Sequence, residues 1–195
     1  MTDERWCVVG LGNPGLRYAG NRHNAGAMVA DVLAKRYAAR LQALRSRPAR
    51  GLADVADVRI GGRPVTLAIP RSFMNESGAP VAAVRSYYRV DVARLVIVHD
   101  ELDIDFGRLR LKRGGGEGGH NGLRSVSQAL GSQDYYRVRM GIGRPPGRQD
   151  PADYVLRDFG AAERRELPPV LERAADAVEA LIDSGLEAAQ QSFNS

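Results

Sequence analysis

Cysteine is nearly absent. Cys7 is the only one in 195 residues, which excludes an internal disulfide framework and a cysteine-based metal spacing. It lies in the apolar run Trp6-Cys7-Val8-Val9, where a thiol reads as core rather than as a nucleophile. Long hydrophobic runs are missing too: nothing approaches the roughly 20 residues of a membrane span. Met1-Thr2-Asp3-Glu4-Arg5 lacks the basic-then-apolar pattern of a secretory leader. The expectation is a soluble, cytoplasmic protein with no membrane attachment. Repeats and linkers that would divide the chain are also absent, so residues 1–195 read as a single globular domain. No H-E-x-x-H, G-x-S-x-G or G-x-x-x-x-G-K-[ST] pattern occurs, which argues against a zinc peptidase, a serine-elbow hydrolase and a P-loop enzyme.

What is present can build a core. Hydrophobic residues make up 44% and charged residues 26%, outside the range of disordered chains. The net charge of +5 is unevenly spread. Residues 161–195 hold three arginines against seven acids, a balance of −4, so residues 1–160 carry +9. A basic body of this kind suits an anionic partner such as RNA, although a solvated basic surface explains the charge equally well. The 22 glycines cluster in residues 10–15, 114–122 and 141–147, which points to close backbone approach in particular loops.

Hydrophobic periodicity sets the architecture. Residues 5–11 read as a buried strand, ended by the turn-rich Gly12-Asn13-Pro14-Gly15. Met28, Val29, Val32, Leu33, Tyr37 and Leu41 recur at helical spacing, predicting a helix from Ala25 to about Leu44. Residues 46–51 form a basic loop. Val55–Val58 and Val65–Ile69 flank Gly61-Gly62 as a hairpin. A helix is expected over 79–88 and a doubly covered strand over Leu95–Val98. Alternation marks a half-wet strand at 107–112. A helix follows from about Gly122 to Leu130, then a strand over Tyr136–Ile142. Pro168-Pro169 are placed in the first turn of a last helix capped by Gly185. Strands alternating with helices predict an α/β fold: a mixed, mostly parallel twisted sheet flanked by helices.

Gly10-Leu11-Gly12-Asn13-Pro14-Gly15 matches G-x-G-x-x-G after a strand, the fingerprint of a dinucleotide site. The context argues against it. Helical periodicity begins only after Tyr18, Gly20 and Asn21, and Asp31, at the distance of the ribose-binding acid, falls inside the helix. What remains is a turn presenting Asn13. Of the three histidines, His23 sits at the mouth of the first helix, where positive potential favours a neutral imidazole able to act as a base. Asp100, in His99-Asp100-Glu101-Leu102-Asp103, follows a buried strand and has the right chemistry to orient an imidazole. Gly114 to Gly122 forms a glycine loop flanked by Arg108, Arg110, Lys112, Arg113 and Arg124, suited to a phosphate backbone. Each feature alone also has a structural reading: a turn, a cap, a flexible loop.

Together the fragments resemble one family. Val9–Gly15, Arg22-His23-Asn24-Ala25-Gly26, Phe73-Met74-Asn75-Glu76-Ser77-Gly78, His99–Asp103, Gly118–Leu123 and Arg137–Gly143 occur in the order found in bacterial-type peptidyl-tRNA hydrolases, over about residues 6 to 160. The resemblance implies a monomeric α/β esterase with no metal or other cofactor. Such an enzyme cuts the ester between a peptide and the ribose at the tRNA 3′ end, recycling tRNA from stalled or abortive translation. By the same resemblance His23 is the general base, Asp100 its partner, and Asn13 a residue that separates blocked from free amino ends. Tyr18, Phe73, Asn75 and Asn121 match the substrate site, and Lys112 and Arg139 match positions facing the tRNA acceptor stem. An amide from Asn13 or Asn75 would stabilise the oxyanion, and the sequence does not choose between them. The competing classes are a non-catalytic RNA-binding protein and, less compatible with the first turn, a nucleotide-dependent oxidoreductase.

Overall fold

The computed structural model describes residues 4–194. Met1, Thr2 and Asp3, part of the segment read above for a leader, lie outside the described residues, as does Ser195. Among the described residues seven strands form one sheet: β1 (Trp6–Gly10), β2 (Gln42–Ala43), β3 (Ala53–Ile60), β4 (Arg63–Pro70), β5 (Leu95–Glu101), β6 (Leu109–Arg113) and β7 (Tyr136–Gly141). Their order is β2-β3-β4-β1-β5-β7-β6. The central four, β4-β1-β5-β7, pair in parallel, while β2, β3 and β6 add antiparallel edges. The six α-helices of the described residues are α1 (Ala25–Arg36), α2 (Gly78–Tyr88), α3 (Asn121–Leu130), α4 (Pro151–Val155), α5 (Ala161–Ser184) and α6 (Leu186–Phe193).

The apolar run of β5 is explained by its two covered faces. Val96 and Val98 point to the side of α1 and α5, against Val29, Leu33, Val178 and Leu181. Leu95 and Ile97 point to the other side, against Val81 and Val84 of α2 and Val126 of α3. The side chains of a strand alternate, so a strand buried on both faces loses its polar positions. Each such residue contributes roughly 1.5–3 kcal/mol relative to exposure.

Glycines at the head of α1 let three backbones meet. A Cβ on Gly26 would lie 2.0 Å from the Val98 carbonyl oxygen, and one on Gly10 would lie 2.2 Å from the Gly26 carbonyl oxygen. The first glycine motif therefore seats α1 between the ends of β1 and β5, and α1 starts at Ala25, well beyond the turn. The hairpin of β3 and β4 turns through Gly61 and Gly62, both with positive φ, as tight two-residue hairpins require.

Three sequence expectations are corrected. The first helix ends at Arg36 rather than near Leu44, because Ala38 takes a left-handed conformation and its successor Ala39 donates back to the Ala34 carbonyl. Tyr37 and Leu41 still pack on the core, which is why the helical spacing seemed to continue. Second, Pro168 and Pro169 lie inside α5, not in its first turn. The helix starts at Ala161, where the Glu163 carboxylate accepts the Gly160 N–H at 2.8 Å; both prolines are exposed, so water can serve the carbonyls they leave unpaired. Third, α4 and α6 were not anticipated. Asp150 caps α4 by accepting from the Ala152 N–H at 3.0 Å with Pro151 in the first turn, and α6 packs against the edge strand β6. Among the described residues no helix is long and apolar enough to cross a membrane.

The parallel strands run β1 to β4 on one side and β1 to β5 and β7 on the other. The loops after β1 and β5 thus diverge at a switch point, and the crevice beyond those two strand ends is where open α/β sheets bind their ligands.

Candidate active site

Asp100 emerges at the end of β5 and is 2% exposed. Its carboxylate is held from two sides. Oδ2 accepts from His23 Nδ1 at 2.8 Å, and Oδ1 accepts from His120 Nε2 at 2.8 Å. His23 is carried by the 3₁₀ turn Arg22–Asn24 immediately before α1. Because a carboxylate only accepts, the proton of His23 sits on Nδ1 and leaves a lone pair on Nε2. Burial alone would lower the His23 pKa, but the charge and hydrogen bond of Asp100 outweigh it and the net direction is upward. Burial pushes Asp100 up, yet the two histidines hold it well below the usual carboxylate range.

The first wall of the cleft is the turn after β1. Asn13 is buried, and its backbone N–H and C=O are both taken by the Asn24 side chain at 2.9 Å. Its Oδ1 accepts from the Met74 N–H at 2.7 Å, which fixes the amide plane and turns the NH₂ end toward the cleft. Asn13, Tyr18, His23, Phe73, Asn75 and Asn121 line one continuous depression. Tyr18 and Phe73 meet edge to face with centroids 6.1 Å apart. Six residues singled out in the sequence are thus brought together, with Asp100 behind them.

The opposite wall was missed. Ala152, Val155 and Leu156, on or just after α4, close this depression, and Pro151, Ala152 and Val155 with Leu102, Gly118, Gly119 and His120 line an adjoining one that also reaches His23 and Asp100. Asp150-Pro151 is the signal that would have revealed α4, an acidic cap followed by a first-turn proline. Arg22 ties this wall to the site: its guanidinium binds Glu163 Oε1 at 2.7 Å and stacks 4.0 Å from the Tyr154 ring centre.

Lys112 and Arg139 do not line the cleft. In the ladder of β6 and β7, Lys112 pairs with Arg137 and Arg110 with Arg139, so all four project from one sheet face, the face of Ile97, α2 and α3. Arg137 is fully buried and donates to the carbonyls of Gly115 (2.7 Å) and Gly116; the glycine loop is pinned over this face. For Lys112, burial and the charges of Arg139 and Arg137 lower the pKa. For Arg139, burial and the neighbours Arg110 and Arg137 do the same against an opposing Glu101. Cations gathered on one face attract an anion.

Ligand atoms of His23, Asp100 and His120 lie within 4.8 Å of one another, close enough to converge on a cation. The contacts within the cluster, 2.8 Å from each imidazole nitrogen to a carboxylate oxygen of Asp100, have the length of hydrogen bonds.

The sequence matches the family model described as peptidyl-tRNA hydrolase over residues 7–195. The chain belongs to the peptidyl-tRNA hydrolase family. A peptidyl-tRNA hydrolase of Frankia alni is 65% identical over 192 residues, covering 98% of this chain and 95% of that one. Its counterpart in Streptomyces coelicolor is 58% identical over 195 residues, at 97% and 95% coverage. The crystal structure of the peptidyl-tRNA hydrolase from Acinetobacter baumannii superposes with a TM-score of 0.89 at 33% identity, covering 100% of this chain and 96% of that one. The family's fold, one mixed sheet between helices, is the α/β architecture expected from the sequence.

Proposed function

We propose that the chain hydrolyses the ester between a peptidyl group and the 3′-terminal ribose of tRNA by general base catalysis, acting as a single-domain cytoplasmic monomer without a cofactor. The observation that carries this reading is the His23 Nδ1–Asp100 contact at 2.8 Å, at the mouth of a cleft whose facing wall is the clamped amide of Asn13. His23 Nε2 takes a proton from water, and the resulting hydroxide attacks the ester carbonyl. Asp100 holds the imidazole tautomer and stabilises the cation formed. Such base assistance contributes typically about 10²–10⁴-fold. The oxyanion is met by the NH₂ of Asn13, preferred over the exposed Asn75 because its plane is already fixed; one such donor is worth roughly 3–4 kcal/mol. The intermediate then collapses, and His23 returns the proton to the leaving ribose oxygen.

Tyr18, Phe73, Asn75 and Asn121 would embrace the peptidyl end. The neutral Asn amides suit a blocked amino group better than a free, partly cationic amine. Lys112 and Arg139 would hold the acceptor-stem phosphates. The deciding assay compares N-acetyl-aminoacyl-tRNA with unblocked aminoacyl-tRNA, using wild type and His23→Ala with EDTA present. Selective cleavage by wild type, lost in the variant, is expected. Intact tRNA binding without cleavage of either substrate would replace this reading with that of an RNA-binding protein.

A further inference from the structure

Asp100 has two imidazole partners, and the general-base reading uses only one. The χ2 torsion of aspartate is soft, so a single hydrogen bond to His23 leaves the carboxylate free to swing. The oxygen facing away from His23 is buried with the rest of the side chain, where an unmet acceptor is costly. His120 Nε2 meets it at 2.8 Å.

The tautomer of His120 is set by its position in the fold. His120 is the N-cap of α3, and its Nδ1 accepts the Leu123 N–H at 3.2 Å. With Nδ1 as acceptor, the proton must be on Nε2, facing Asp100. The backbone N–H of His120 is bonded in turn to the Glu117 carbonyl at 3.0 Å, within the loop that Arg137 pins. The ring packs against those of His23 and His99, with centroids 5.0 and 5.1 Å away. His99 adds no charge: burial and the neighbouring His120 push its pKa down to about 3, and its Nδ1 bonds the Asp100 carbonyl at 2.7 Å.

Resting on the general-base reading above, we propose that His120 is a positioning residue of the reaction: its Nε2–H locks the second oxygen of Asp100 and so fixes the carboxylate that aims His23. It need not touch the substrate to do this.

Two substitutions separate this role from helix capping. In His120→Asn the side-chain oxygen can still accept the Leu123 N–H, but no donor reaches Asp100. In His120→Gln the NH₂ reaches Asp100 and the cap is lost. A hydrogen bond to a buried charge predicts that His120→Asn lowers kcat roughly ten- to hundredfold, with KM for N-acetyl-aminoacyl-tRNA and the melting temperature near wild type. His120→Gln retains most of the rate. The acid limb of kcat/KM also moves to higher pH in His120→Asn. The groups that set the charge of Asp100 are His23 and His120, with His99 neutral beside them; one donor fewer leaves more of that charge to stabilise protonated His23.

The reverse pattern, His120→Asn near wild type and His120→Gln impaired with the acid limb unmoved, makes His120 a cap and overturns the proposal. Equal losses in both variants overturn it as well, since ring packing would then be the role. His23→Ala is run alongside. If it stays active, the general-base reading itself fails; if it is dead while His120→Asn is fully active, only the positioning role fails.

Discussion

Two charged regions of this protein are built on opposite plans. Around Asp100, charge is buried and fully answered: each carboxylate oxygen has an imidazole donor at 2.8 Å. On the face of β6 and β7, Lys112 and Arg139 stand half open, and their nearest neighbours include other cations. The first arrangement fixes where protons sit, which a base needs before substrate arrives. In the second, Glu101 opposes the crowding only in part, so positive charge remains to attract an anion. On the proposed function, a reacting group is preorganised by pairing, and a docking surface by leaving charge in excess.

The sharpest way to break this contrast is to uncharge the paired region. Asp100→Asn is expected to cut kcat by about 10⁴-fold, as when the carboxylate of a hydrolase triad becomes an amide and the imidazole loses its correct tautomer; single-turnover cleavage measures it. The steric frame of the same region is tested by Gly26→Ala, whose Cβ would sit 2.0 Å from the Val98 carbonyl. A loss of about 3 kcal/mol or more is expected from such overpacking, read by thermal or urea unfolding.

The pH profile gives a finer test. His23 must be neutral to act, and its pKa is raised above the ordinary 6.5. Activity should therefore fall on the acid side with a midpoint above 6.5. In Asp100→Asn the residual activity should show that midpoint below 6.5, because burial remains while the opposing charge is gone. The open region should respond in binding alone. Lys112→Ala and Arg139→Ala are each expected to raise KM roughly tenfold with kcat little changed, and to reduce the salt slope of tRNA binding by about one. Affinity insensitive to salt would remove the phosphate-docking role.

The smallest effect concerns the sheet edge. Asn194→Ala, which removes two hydrogen bonds to Leu111, should lower stability by about 1 kcal/mol and leave kcat untouched.

The sequence shows some parts of this molecule better than others, for physical reasons. β5 was legible because an apolar run on a doubly covered strand has few alternative readings, and the β3–β4 hairpin because Gly61-Gly62 permits one kind of turn. The end of α1 was not, since Tyr37 and Leu41 keep the apolar spacing after the backbone has turned at Ala38. In the site, Asn13, His23 and Asp100 were named from motifs. Their convergence depends on the strand order, which periodicity does not encode. His120 was visible only as a histidine in a glycine loop. Its bond to Asp100 needs the chain to return from the far end of β6, across the sheet, to the head of α3. Ala152 and Val155, wall residues of α4, carry no chemistry of their own and left no mark beyond Asp150-Pro151.

The last turn of the chain has a role beyond one hydrogen-bond count. β6 is one of the two outer strands of the sheet, and an outer strand exposes main-chain groups to which any extended peptide can add. Asn194 accepts the Leu111 N–H at 2.6 Å and donates to its carbonyl at 3.2 Å, and Gln190 donates to the same carbonyl at 3.0 Å. Two side-chain amides thus imitate the strand that would come next. The margin of the sheet is therefore closed at Leu111, where an extended peptide would otherwise find a free N–H and carbonyl.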